Sequence, residues 1–164
     1  MIELLIVVAI IVIFVAVGIP MFDRYSVQND VRTKAEEAIS LLSSAQTMSA
    51  SPEQGYTAYR VIRSENAITL EKTSSDQKCE ASLAEFEQME KTNMFDFKLV
   101  GWGVNEDFCF ETGGDFLYSG ITLPETISVS STQFESMGFD PPTILIKEQS
   151  SADTGYKLIF ELNE

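Results

Sequence analysis

Ile2-Glu3-Leu4-Leu5-Ile6-Val7-Val8-Ala9-Ile10-Ile11-Val12-Ile13-Phe14-Val15-Ala16-Val17-Gly18-Ile19-Pro20-Met21-Phe22 is the stretch on which the reading of this chain turns. No polar side chain occurs between Leu4 and Ile19. A secretory signal would begin with a basic region and end on a small-residue cleavage site. Here no Lys or Arg precedes Arg24, and an acid stands at position 3. A buried core helix is a second reading, but a wholly apolar run this long is out of scale with a small domain. A membrane-spanning helix needs about 20 apolar residues, and Ile2 to Phe22 supplies them apart from Glu3.

Glu3 therefore calls for an explanation. A carboxylate in an apolar helix costs roughly 2.5–3.5 kcal/mol at the bilayer centre. It persists where it has a partner or lies near the interface. An amino terminus nearby is one such partner, and a carboxylate in the first turn also complements the helix dipole. A solvated, interfacial Glu3 is the plainer alternative, and the residue alone leaves both open.

Beyond Pro20 the apolar pattern becomes periodic. Val27, Val31, Ala35, Ala38, Leu42 and Ala45 step by three or four residues, the spacing of one face of an amphipathic helix. Arg32, Lys34, Glu36 and Glu37 fall off that face. Ser49, Ser51 and Pro52 end it, because proline disfavours helix at the residue before it. The small residues in the stripe would let a sheet approach closely. One helix of about 70 Å follows from a rise of ~1.5 Å per residue, half of it apolar all round and half amphipathic.

From Gly55 onward the pattern is that of strands. Candidates are 56–63, 67–72, 95–103, 108–111, 120–123, 127–130, 143–148 and 156–161, with turns at Ser64-Glu65-Asn66, Gly113-Gly114-Asp115 and Asp153-Thr154-Gly155. Leu83, Phe86, Met89 and Glu90 suggest a short helix within Cys79–Lys91. The expected fold class is α+β: a long N-terminal helix packed on an antiparallel head of one or two sheets. The expected divisions are 1–25 for the apolar half-helix, 26–51 for the amphipathic half and 52–164 for the head. A chain of 164 residues suits one compact domain plus one extended element.

Charge is divided as unevenly as hydropathy. The net charge is -14, and five acids and three bases lie in the first 50 residues, leaving 20 acids and eight bases beyond them. So acidic a head repels phosphate backbones, which argues against nucleic acid as a default partner. Cys79 and Cys109 are the two cysteines. One disulfide or two buried free thiols are the two readings, and a head outside the cytoplasm favours the first.

No catalytic site emerges. The chain has no histidine, so Ser-His-Asp and Cys-His arrangements and imidazole metal ligands are excluded. Gly113-Gly114-Asp115 is too short for a phosphate loop and lacks its lysine. A pair of head carboxylates at glycosidase spacing is conceivable, but solvated surface acids are the simpler account. Asn105-Glu106-Asp107 lacks the spacing of a calcium loop. Phe95, Phe97, Trp102 and Phe108 are expected in the core, with a surface aromatic patch as the sharper alternative. No cofactor and no metal are expected.

The run from Met1 to Ile11, with Glu3 near its start and Pro20 near its end, resembles the N-terminus of mature type IV pilins and type II secretion pseudopilins. In that family the glutamate is the fifth mature residue and the first is usually Phe. The offset here implies that two residues precede Met1, or an unusual start. Pro20 falls at the family's proline with the same offset, whereas the family's mid-helix glycine falls on Val12, with Gly18 nearby. The match covers about 25 residues. Ala45-Gln46, Gly55-Tyr56 and Phe139-Asp140-Pro141-Pro142 are a weaker likeness to the H-type minor pseudopilin and FimT-like branch.

The resemblance implies a structural subunit of a type IV pilus or pseudopilus that polymerises with identical subunits into a helical filament. Glu3, Gly18 and Pro20 are its assembly residues, and Cys79 and Cys109 its disulfide pair. A prepilin peptidase, N-methylation, an assembly ATPase and a membrane platform protein are implied as partners. The location implied is the cytoplasmic membrane before assembly and the cell surface after it. The alternatives are a minor, priming pseudopilin and a membrane-anchored adhesion or ligand-binding domain. A mere anchor has no need of a carboxylate at Glu3.

Overall fold

A computed structural model describes residues 2–51, 55–80, 85–113, 115–151 and 155–163. Helix α1 (Ile2–Ala50) is 49 residues long and continuous. Its end agrees with the expected stop at Ser49–Ser51; Pro52 lies outside the described residues. The apolar stripe of α1 reads as predicted: Val31, Ala35, Ala38, Leu42 and Ala45 are fully buried and Val27 nearly so. Arg32 and Glu36, off the stripe, pair at 2.9 Å on the solvent side.

Among the described residues nine strands follow: β1 (Ala58–Ser64), β2 (Ala67–Thr73), β3 (Glu87–Asn93), β4 (Phe97–Val100), β5 (Asp107–Glu111), β6 (Phe116–Tyr118), β7 (Thr126–Ser131), β8 (Thr143–Ser151) and β9 (Gly155–Asn163). They form two antiparallel sheets, ordered β3-β2-β1-β5-β6 and β4-β7-β8-β9. The α+β expectation holds. Helix α1 packs against β1, β2 and β5 of the first sheet and β7, β8 and β9 of the second. The alanines of the stripe are what allow two sheets to close on one helix, since a larger side chain would hold the backbones apart.

Three sequence expectations need correction. Outside 81–84, which lie beyond the described residues, the segment Cys79–Lys91 is not an α-helix. Lys78–Glu80 makes a single 3-10 turn, and 87–93 is an edge strand paired with β2; Leu83 lies outside the described residues. Glu87, Gln88, Glu90 and Lys91 are exposed, as on edge strands that resist further pairing, so no apolar alternation marks them as β. The strand expected over 95–103 is confined to Phe97–Val100. The one expected over 120–123 is absent, and Phe116–Tyr118 is paired instead. A short helix, α2 (Thr132–Ser136), was not legible; Ser131 caps it by accepting a hydrogen bond from Phe134 N.

Beneath the helix Trp102, Phe108, Tyr118 and Phe160 form an aromatic cluster. Trp102 and Phe108 meet edge to face with centroids 5.0 Å apart. Gly101 is the point of closest approach: at φ 100° a Cβ would stand 2.2 Å from the Thr126 carbonyl oxygen. A side chain there would force β4 and the start of β7 apart.

The outer face of the first sheet is covered by the described part of the segment between β2 and β3. Cys79 and Cys109 are bonded, with an S–S distance of 2.04 Å. Lys78 Nζ donates to Glu111 Oε2 at 2.9 Å, and Thr73 Oγ1 donates to the Glu85 carbonyl at 2.9 Å. Arg60, 4% exposed, lies under this cover. Its Nη2 and Nε reach Glu71 Oε2 at 2.6 and 2.8 Å, and its guanidinium stacks 3.6 Å from the Phe86 ring centroid. The Arg60 charge is thus held by a carboxylate and an aromatic face, as a buried cation requires.

Candidate assembly surface

Side chains decide the character of α1 before Val27. Every described large apolar residue from Leu4 to Phe22 is between 48% and 74% exposed, as on a helix with no neighbours. Burying a side chain of this size is worth about 1.5–3 kcal/mol, so covering the whole segment is worth on the order of 20 kcal/mol. That outweighs the roughly 2.5–3.5 kcal/mol cost of Glu3 at the bilayer centre. The N-terminal segment is the one helix among the described residues long and apolar enough to cross a membrane.

Glu3 stands in the first turn of α1. Gly18 faces open space: an added Cβ would meet nothing within 4 Å. Pro20 lies within the helix, which runs through it without interruption in the single subunit. Proline has no N–H to offer the carbonyl of Ala16, so one bond of the ladder is lost there. Relative to alanine, Gly18 and Pro20 together weaken this turn by about 4 kcal/mol. Glu3 is about 22 Å from Gly18 along the axis at ~1.5 Å per residue, so these residues form an extended surface and not a converging site.

Among the described residues, no group of three or more acids or cysteines is placed to hold a metal ion. The Asn105-Glu106-Asp107 turn shows why. Glu106 Oε2 accepts from Gly103 N at 2.6 Å and from the Tyr118 hydroxyl, on the aromatic-cluster side. Asp107 instead lies 4.0 Å from Arg60 on the outer face. The two carboxylates point apart and each already has a role. Burial first, then the Glu106 hydrogen bond, pushes the Tyr118 phenol well above its usual range. At the base of the head, Ser130 Oγ and then Lys98 lower the Glu135 carboxyl.

Of the four aromatics expected inside, Trp102 and Phe108 are buried and Phe97 partly so, but Phe95 is 72% exposed. Sequence reading also passed over Gln46 as a contact. With its amide nitrogen toward the Leu158 carbonyl (2.8 Å) and its amide oxygen toward Leu158 N (3.0 Å), it ties α1 to the free edge of β9. A polar residue one position past Ala45 of the apolar stripe was the available signal.

Compared with models of protein families, with curated proteins and with solved structures, the chain finds no match. The long apolar helix packed on an antiparallel head is compatible with a pilin-like architecture.

Proposed function

We propose that this chain is the structural subunit of a type IV pilus-like or pseudopilus filament, stored in the membrane by residues 1–25 and polymerising through them. The observation that carries the reading is a single helix with two fates. Its second half is part of the core of the head, while the described large apolar side chains of its first half, Leu4 to Phe22, are all exposed in the subunit. A lipid-stored helix that later packs against copies of itself satisfies both conditions. The membrane and the filament interior are alternative apolar surroundings for the same surface.

Glu3 adds what an anchor alone does not require. In the filament its carboxylate neutralises the terminal amine of an adjacent subunit and sets the axial register. The prepilin peptidase, N-methylation, ATPase and platform protein belong to this proposal, as does an extracellular head. The weaker likeness to the H-type and FimT-like branch places a minor, priming role within the same reading.

The test is Glu3→Ala. The variant is expected to insert into membranes as the parent does, and to give filaments in much lower yield or without regular register by electron microscopy. Normal filaments from Glu3→Ala would remove the assembly role. They would favour the second reading, a membrane-anchored adhesion or ligand-binding domain.

A further inference from the structure

The first sheet ends at β6 and the second at β9, and neither edge has a strand beside it. A groove of about 810 Å³ lies between them, floored by the last turns of α1. Its size falls within the ~300–1,000 Å³ usual for ligand clefts. The two edges run the same way. Phe160 of β9 stands 6.4 Å from Phe108, the partner of Tyr118 on β6. Leu158, two residues earlier, shares the groove with Phe110, the partner of Phe116. A step from 158 to 160 on β9 thus matches a step from 116 to 118 on β6. A strand running against both would be antiparallel to both, and would join the two sheets without a change of pattern.

The backbone of β9 is set for such a strand. Leu158 N–H and C=O face Gln46, away from β8. These groups alternate in direction along an antiparallel strand, so those of Phe160 also face the groove. The Gln46 carboxamide offers Leu158 one donor and one acceptor, as the peptide group of a neighbouring strand would. This stand-in is one residue long. Among the described residues no hydrogen bond reaches Phe160 from the groove side. Charge complementarity sets the chemistry of the occupant. Lys157 on the β9 side and Asp115 on the β6 side are both exposed at one end of the groove. A residue between them meets one charge of each sign, so this entrance is balanced although the chain carries -14. Below it the walls are apolar: Phe160 and Phe116 inward, Ile159 and the 48% exposed Leu117 outward. An uncharged segment of β-branched residues suits such walls, and the acidic head repels a run of acids.

We infer that the groove between β6 and β9 is a strand-receiving site. It takes an extended, uncharged, β-branched segment of another protein, antiparallel to both edges and held by the Phe160 peptide groups, in the manner of strand addition to a sheet edge. Gln46 occupies the Leu158 end of that edge until the segment arrives. Membrane storage and polymerisation play no part in this binding, which belongs to the head alone.

The experiment titrates the full chain, in detergent micelles, with the capped peptide acetyl-Ser-Val-Thr-Val-Thr-Ser-amide, and follows amide exchange residue by residue. At saturation the Phe160 amide is expected to exchange about tenfold more slowly, the effect of one hydrogen bond of ordinary strength. The same peptide methylated on alternate amide nitrogens cannot pair with one of the edges, and should bind about tenfold more weakly for the same reason. Gln46→Ala removes the stand-in. Its Leu158 amide should exchange fast alone and slowly with peptide, and the peptide should bind more tightly than to the parent, the opposite of what a merely structural Gln46 would give. Phe160 exchange unchanged by the peptide, or slowed equally by the methylated one, overturns the site. Weaker binding by a folded Gln46→Ala protein overturns the stand-in role. Phe160 protection that rises with protein concentration and not with peptide places a second copy in the groove, and also overturns the proposal. The parent titration decides the question even where Gln46→Ala does not fold.

Discussion

Glu106 shows how one side chain can organise a loop. Its carboxylate receives Gly103 N and the Tyr118 hydroxyl, while its backbone carbonyl accepts from Trp102 Nε1 at 3.0 Å and from Arg63 N at 3.1 Å. Asn105, at φ 63°, turns the chain so that these groups converge. Burial first, and then the hydrogen bond to Glu106, make Tyr118 titrate late. Its folded pKa is raised above the unfolded value near 10. Its contribution to stability is therefore complete below about pH 10 and is lost as pH rises through the folded value. Ultraviolet titration should show that the phenolate step removed by Tyr118→Phe lies well above pH 10 in the native protein. A step near pH 10 without loss of structure would refute the coupling. The sequence expectation put a strand at 120–123 and not at Tyr118, and the meeting of Tyr118 with Glu106, made beside β5 and β6, is recorded by no local pattern.

Among the elements, the amphipathic half of α1 was the most legible because its burial obeys a single period. The least legible was β3, whose residues carry no apolar alternation and acquire strand geometry from pairing with β2. The segment joining β2 to β3 is held by covalent and polar ties more than by packing. Closing a loop over the 30 positions from Cys79 to Cys109 should stabilise the head by about 3–4 kcal/mol on the chain-entropy account. A Cys79→Ser/Cys109→Ser double variant is expected to keep both sheets but to unfold at lower urea. Amide exchange should quicken first at 74–80 and around Phe86, where the cover over Arg60 is released. An unchanged urea midpoint would show that the disulfide carries no such share.

On the scale of the whole molecule, α1 is one helix with two environments, and Gly18 and Pro20 lie just on the apolar side of the boundary. The single subunit keeps this region helical at a local disadvantage of about 4 kcal/mol. Neighbouring helices in a filament supply alternative partners for opened backbone groups, which lipid does not. Regular helix hydrogen bonding is therefore expected to be lost somewhere within Phe14–Pro20 on assembly, giving a stretch that extends under load. A filament density map resolves the question. An unbroken, straight helix from Ile2 to Met48 would refute the prediction, and a gentle kink with intact bonds on either side would remove the extensibility.

The sequence alone determined the length and the two halves of α1, the α+β class, and the position of Glu3, because each rests on local composition or a repeating period. The positions of most strands followed from alternation and turn residues for the same reason. Tertiary structure decided the division into two sheets, the pairing of β3, the separate tasks of Glu106 and Asp107, and the exposure of Phe95. These depend on which distant segments meet. The Gln46 contact with Leu158 joins residues far apart in sequence, and Phe95 is exposed in the turn before β4, which begins two residues later. Periodicity reports which face of an element is apolar, but not which partner covers it or whether any partner does.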